Sequence, residues 1–120
     1  MEKLVELLRQ QEDYFGSGGR NTPQFNKFYT QFKRELSKEL KAVGATDIKM
    51  SKGHFELGGF FTTASQQIVY FSLGDVRWGI GQGEPKLMFR TATSYKDFSG
   101  GSNKYQVIKK GMASEMVSYF

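Results

Sequence analysis

Residues 22–44 read TPQFNKFYTQFKRELSKELKAVG, and this stretch decides the fold. Its apolar residues recur at spacings of three and four, which is the period of a helix with one buried face. They are Phe25, Phe28, Tyr29, Phe32, Leu36, Leu40 and Val43. Thr22 and Pro23 suit a helix start, and Gly44 suits a helix end. The pattern predicts one long helix whose Phe-rich side lies against the core.

The opposite side of the same helix carries a cationic row, which consists of Lys27, Arg34, Lys38 and Lys41. At about 100° per residue these four side chains fall within roughly 60° of one another. Glu35 and Glu39 lie near the flank of the apolar stripe, so the helix neutralises its own cationic row poorly. The row indicates an anionic partner, although a solvated charged face is an equally ordinary explanation.

Upstream of this helix, residues 2–14 predict another one, because Leu4, Leu7 and Leu8 share a face and no glycine or proline interrupts them. The glycine-rich segment 16–19 ends it. Two helices joined by so short a loop are expected to pair antiparallel as a hairpin.

The second half of the chain alternates with the period of strands. The strand-length runs are 48–50, 55–61, 68–73, 87–92 and 105–108, and residues 112–120 suit a short closing helix. Helices followed by strands predict a single α+β domain over residues 1–120. In this domain, an N-terminal helix hairpin packs on one face of an antiparallel sheet of four or five strands, with a short C-terminal helix. Apolar neighbours such as Phe60 and Phe61 suggest that both faces of the sheet are covered. The second face would take the C-terminal segment, a second subunit or a ligand.

The composition of the chain excludes several classes of functional site. The chain has 120 residues, a net charge of +5 and no cysteine, which excludes disulfides, thiolate metal sites and thiol catalysis. Residues 1–13 hold two bases and four acids (−2), residues 14–44 hold six and two (+4), and the remainder holds nine and six (+3). The first residues resemble no signal peptide, and no run reaches the roughly 18 apolar residues of a membrane span. We therefore expect a cytoplasmic protein with no membrane contact.

Two sets of residues are candidates for catalysis, and both are weak. His54 and Glu56 share a strand face, but a lone histidine cannot hold a typical zinc ion, and structural hydrogen bonding is the simpler role. Asp75 with Glu84 and Lys86 has the acid and acid-x-Lys spacing of a metal-dependent nuclease, a spacing that also occurs often by chance. We expect no enzyme activity, no metal and no cofactor, with the nuclease as the less favoured alternative.

Basic and aromatic residues are interleaved in the strand half. The densest set is Asp75, Arg77, Trp78, Arg90, Tyr95, Lys96, Asp97 and Asn103. Ion pairs within this set would hold loops against the sheet. Alternatively, arginine beside Trp or Tyr suits stacking on bases and gripping phosphates.

Four stretches carry a resemblance to known proteins. They are HFELGGFF at 54–61, YFSLGDVRW at 70–78, FRTA at 89–92 and DFSGGSN at 97–103. Together they resemble a group of small uncharacterised proteins carried by phages, plasmids and conjugative elements of bacteria. The resemblance implies a mobile-element setting, in which small proteins often bind DNA or block host defence nucleases, including CRISPR effectors.

We expect a non-enzymatic binding protein. The first hypothesis is that it is an anti-CRISPR-like inhibitor that binds a host nucleic-acid-processing protein. A direct DNA- or RNA-binding accessory protein is the alternative. The expected binding residues are the cationic row together with Arg77, Trp78, Arg90, Tyr95 and Lys96. An aromatic sheet face would also allow a homodimer.

Overall fold

The computed structural model describes residues 23–52, 57–73, 86–97 and 101–120. These residues form an α+β arrangement of five strands and two helices. The elements in chain order are α1 (Pro23–Ala42), β1 (Thr46–Lys52), β2 (Leu57–Thr62), β3 (Ile68–Ser72), β4 (Lys86–Ala92), β5 (Lys104–Val107) and α2 (Met112–Val117). The predicted first helix at 2–14, and with it the hairpin, lies outside the described residues.

The long helix α1 ends as its sequence predicts. Gly44 adopts a φ of +87°, which glycine reaches without steric cost. The Ala45 N–H donates to the Leu40 carbonyl at 2.9 Å, and the Gly44 N–H donates to the Lys41 carbonyl at 3.1 Å. This pair of bonds is the Schellman motif, which satisfies carbonyls that the helix end would otherwise leave unpaired. The chain therefore leaves the helix at a fixed angle and enters β1.

The five strands form one antiparallel sheet in the order β1-β2-β3-β4-β5, so every strand pairs with its neighbours in sequence. Residues 63–67 close the β2–β3 hairpin, where the Thr63 N–H donates to the Gln67 carbonyl at 2.8 Å. The β1–β2 pairing shifts register between Thr46 and Lys49. Asp47 lies at this bulge with a φ of +54°.

One face of the sheet, the inner face, forms the core with α1. Alternate strand residues point to it, and those fully buried are Leu57, Phe61, Val69, Phe71, Leu87 and Phe89. The helix contributes Phe28, Phe32, Leu36 and Leu40, all fully buried. The predicted apolar stripe is thus confirmed wherever its side chains are described, and that of Phe25 lies outside them. Because α1 buries this stripe, its cationic row faces away from the sheet.

The C-terminal helix α2 packs on the same side of the sheet as α1. Its buried residues Met112, Ala113 and Met116 join the core cluster of α1 and the inner face. The suggestion that the C-terminal segment covers the other face is therefore wrong. The reason is tertiary packing, since α2 contacts α1 and β5 and its buried residues continue the existing core.

Candidate functional site

The cationic row lies in solvent on the outer side of α1. Lys27, Arg34, Lys38 and Lys41 are all exposed. Within the described part of the chain, the row has one carboxylate contact, where Arg34 Nε is 3.9 Å from Glu35 Oε1 and the two side chains are 70% and 38% exposed. An exposed pair at this distance contributes under about 1 kcal/mol. The row therefore keeps most of its charge available to a partner.

Glu39, the second acid on α1, makes its hydrogen bonds to α2. Its carboxylate accepts hydrogen bonds from the Gly111 N–H at 3.1 Å and the Ala113 N–H at 3.2 Å. These are N–H groups at the start of α2, which has no cap from its own side chains. Glu39 thus ties the two helices together and does not pair with the cationic row.

The spacing of the row defines a linear surface. From Lys27 to Lys41 the helix rises about 21 Å. Since a helix is rigid over this length, a partner meets four cations in a fixed line. That geometry suits a row of carboxylates or phosphates.

The face of the sheet turned away from α1, the outer face, carries an aromatic cluster. Phe60, Tyr70 and Arg90 stand opposite one another on β2, β3 and β4. The rings of Phe60 and Tyr70 have centroids 5.1 Å apart, and the Arg90 guanidinium lies over the Tyr70 ring at 5.0 Å. Arg90 Nη1 also donates to Asn103 Oδ1 at 2.9 Å. Through this hydrogen bond, Arg90 fastens the loop before β5 to the sheet.

Tyr95 reaches this face from the loop after β4. Its ring stacks on Phe60 at 5.3 Å, its hydroxyl donates to the Asp47 carbonyl at 2.8 Å, and it shares a 2.7 Å hydrogen bond with Thr62 Oγ1. Burial is the main cause that raises the pKa of Tyr95; the Asp47 charge adds to it, and the Thr62 hydrogen bond opposes it. Lys96, next in the loop, is exposed. Phe60 is only 5% exposed beneath these rings, so it offers no stacking surface to a base.

The expected binding residues that the structure describes therefore do not form one surface. Arg90 and Tyr95 come together on the outer face, with Lys96 exposed beside Tyr95. The cationic row lies on the opposite side of the two-layer arrangement. Arg77 and Trp78 lie outside the described residues. Within the described part of the chain, the expected residues are thus divided between two sides of the molecule, because α1 covers the inner face and turns its row away from the sheet.

An open cleft of about 260 Å³ lies where the end of α1 meets the start of α2. Ala42 and Val43 line one side, and Gly111 and Ser114 line the other. The remaining lining residues are Glu39 and Lys110, and the walls are almost entirely carbon. Sequence reasoning missed this cleft because it joins segments far apart in the chain.

The residues considered for catalysis are mostly not described. His54, Glu56, Asp75 and Glu84 lie outside the described residues, and Lys86 is exposed at the start of β4. Over the ranges that are described, no three His, Cys, Asp or Glu residues gather as metal ligands would. The same ranges contain no helix with the length and apolarity needed to cross a membrane.

Comparison of the chain with protein families, curated proteins and solved structures finds no match.

Proposed function

We propose that this chain is a non-enzymatic binding protein that docks its cationic row on an acidic surface of a protein partner. The observation that carries the proposal is the exposure of Lys27, Arg34, Lys38 and Lys41 with one weak carboxylate contact among the described residues. Attraction between these cations and carboxylates of the partner would favour both fast encounter and a fixed orientation.

The cleft favours a protein over a nucleic acid as the partner. Its carbon walls lie beside the C-terminal end of the row. A sugar-phosphate backbone has little apolar surface to place there, whereas a protein surface offers aliphatic and aromatic side chains. The aromatic rings that would suit a single strand lie on the other side of the molecule, and Phe60 is buried beneath them.

The partner class we propose is a host nucleic-acid-handling enzyme, inhibited by this chain in the setting of a bacterial mobile element. This step rests on the resemblance of residues 54–103 to small mobile-element proteins. The charge of the row also indicates which part of such an enzyme it would contact. The nucleic-acid groove of the enzyme is basic and would repel α1. The carboxylates that hold the catalytic metal ions of the enzyme are acidic and would attract α1.

Two finer features of the architecture also belong to this proposal. We expect residues 2–14 to form the hairpin partner of α1 while leaving the row accessible. We also expect the outer face, rather than the row, to form the contact if two copies of the chain associate.

Capture from a nuclease-treated host lysate tests the proposed function. The wild-type chain is compared with Lys38→Glu/Lys41→Glu and with Lys49→Glu/Lys86→Glu, a control with the same net charge whose changes lie at exposed positions on the outer face. We expect the wild type and the control to retain a common protein that the row variant loses. Equal retention by both variants would contradict the role of the row.

Direct nucleic-acid binding is the competing outcome. It would show as fluorescence anisotropy changes with labelled DNA or RNA, with an affinity that falls steeply with salt. Loss of that binding in Lys38→Glu would assign the row to phosphates and would replace the protein partner proposed above.

A further inference from the structure

The cleft between α1 and α2 has the properties of a pocket for one hydrophobic side chain. Its volume of about 260 Å³ exceeds that of a leucine or phenylalanine side chain, and its opening faces solvent. Ala42, Gly111 and Ser114 are small and exposed, so none of them fills the space. Val43 closes the floor, since it is half buried against the core.

The positive charge around the cleft is not balanced by the acids nearest to it. Lys38 precedes Ala42 by one helical turn and therefore neighbours it on the surface of α1. Lys110 lines the opposite wall and is exposed. Glu39 also lines the cleft, and its carboxylate keeps its charge while it accepts hydrogen bonds from two backbone N–H groups of α2. The rim therefore carries two ammonium groups and one carboxylate above a carbon floor, which leaves it with a net positive charge.

Lys109 and Glu35 do not change this balance. Lys109 Nζ is 3.1 Å from Glu115 Oε1, so that charge is paired. Glu35 lies two turns before Ala42, about 10 Å along α1. Neither residue lines the cleft.

From this charge and this shape, we infer that the cleft takes the hydrophobic anchor of an acidic protein segment, a Leu, Ile, Met or Phe side chain flanked by Asp or Glu. The inference rests on the proposed function and specifies the chemistry of the partner. The flanking carboxylates reach Lys38 and Lys110 while the anchor leaves water. Such an anchor gains most of its binding energy from burial, and the charges fix the register of the segment.

The test uses labelled peptides in which glutamates flank one variable central residue, titrated against the full chain at about 0.05 M salt. We expect peptides with a central Leu, Ile, Met or Phe to bind about tenfold tighter than those with Ser or Gly. Ala42→Gln, which places a polar side chain in the cleft, should remove this preference and leave the affinity for the Ser peptide unchanged. Ser51→Gln, an exposed change on β1, is the matched control and should alter neither.

The outcomes separate the inference from the function on which it rests. If Ser and Leu peptides bind equally well, or if the preference persists in Ala42→Gln, the cleft is not the anchor site although the row still binds acidic segments. If no peptide binds, the proposed function fails as well. A preference that emerges only in Leu4→Ser/Leu8→Ser would overturn the inference by assigning the cleft to the N-terminal segment of this chain.

Discussion

At the residue scale, Glu39 joins the two described helices through its carboxylate. A short helix such as α2 leaves its first N–H groups unpaired, and Glu39 accepts from two of them at 3.1 and 3.2 Å. We expect Glu39→Ala to lower the free energy of unfolding by about 1–2 kcal/mol, because a charge-assisted cap is lost. Urea unfolding monitored by circular dichroism measures this change.

Glu35→Ala is the control for that prediction. Glu35 is partly exposed and lies 3.9 Å from Arg34, so its removal should change the free energy of unfolding by less than about 0.5 kcal/mol. If both variants lose equal stability, Glu39 has no special role as a cap. The sequence predicts that Glu39 flanks the apolar stripe, but it does not reveal the cap, since Gly111 lies 72 residues away.

Ionisation of the Tyr29 hydroxyl makes the stability of the fold depend on pH in the alkaline range. Its hydroxyl donates to the Met50 carbonyl at 3.0 Å, and burial raises its pKa above the ordinary value. Because the pKa of Tyr29 is higher in the folded state than in the unfolded state, its protonated hydroxyl stabilises the fold at pH values below the unfolded pKa of about 10. This stabilisation is lost as the pH rises through the pKa of the folded state. Tyr29→Phe should therefore cost about 1 kcal/mol at pH 7 and progressively less above pH 10. Urea unfolding of both proteins across this range measures the gap, and a constant gap would contradict the assignment.

At the scale of elements, the pairing of β1 with β2 depends on Gly59. A Cβ at this position would overlap the carbonyl oxygen of Lys49 on β1. We expect Gly59→Ala to destabilise the protein by about 2–3 kcal/mol, because the two strands must separate to admit the methyl group. Ser51→Ala, an exposed change on β1, should cost less than about 0.5 kcal/mol in the same unfolding measurement. Equal losses in the two variants would show that the close approach is not needed.

The elements differ in how far the sequence predicts them. Helix α1 is predictable from end to end, because its apolar period, its proline and Gly44 all act locally. The strands are predictable from alternation, but their shared outer-face cluster is not, since Tyr95 reaches Phe60 from a loop. The face of the sheet on which α2 packs cannot be predicted from the sequence either, because it depends on contacts with α1, which is far away along the chain. The cleft cannot be predicted locally either, because it forms where the end of α1 meets the start of α2.

At the scale of the whole molecule, the two layers separate two kinds of surface. The helix layer presents the cationic row, and the outer face of the sheet presents packed aromatic rings with Tyr105 60% exposed. We propose that the partner approaches the helix layer. The outer face serves mainly to hold the loop after β4 against the sheet through Tyr95 and Arg90.

Site-specific photocrosslinking in the host cell tests most directly which layer meets the partner. A benzoylphenylalanine replaces Thr30, which lies one turn from both Lys27 and Arg34, or it replaces Tyr105 on the outer face. We predict a covalent adduct with a host protein from position 30, and none from position 105. An adduct from position 105 without one from position 30, whether with a host protein or with a second copy of this chain, would contradict the claim that the cationic row of α1 is the binding surface.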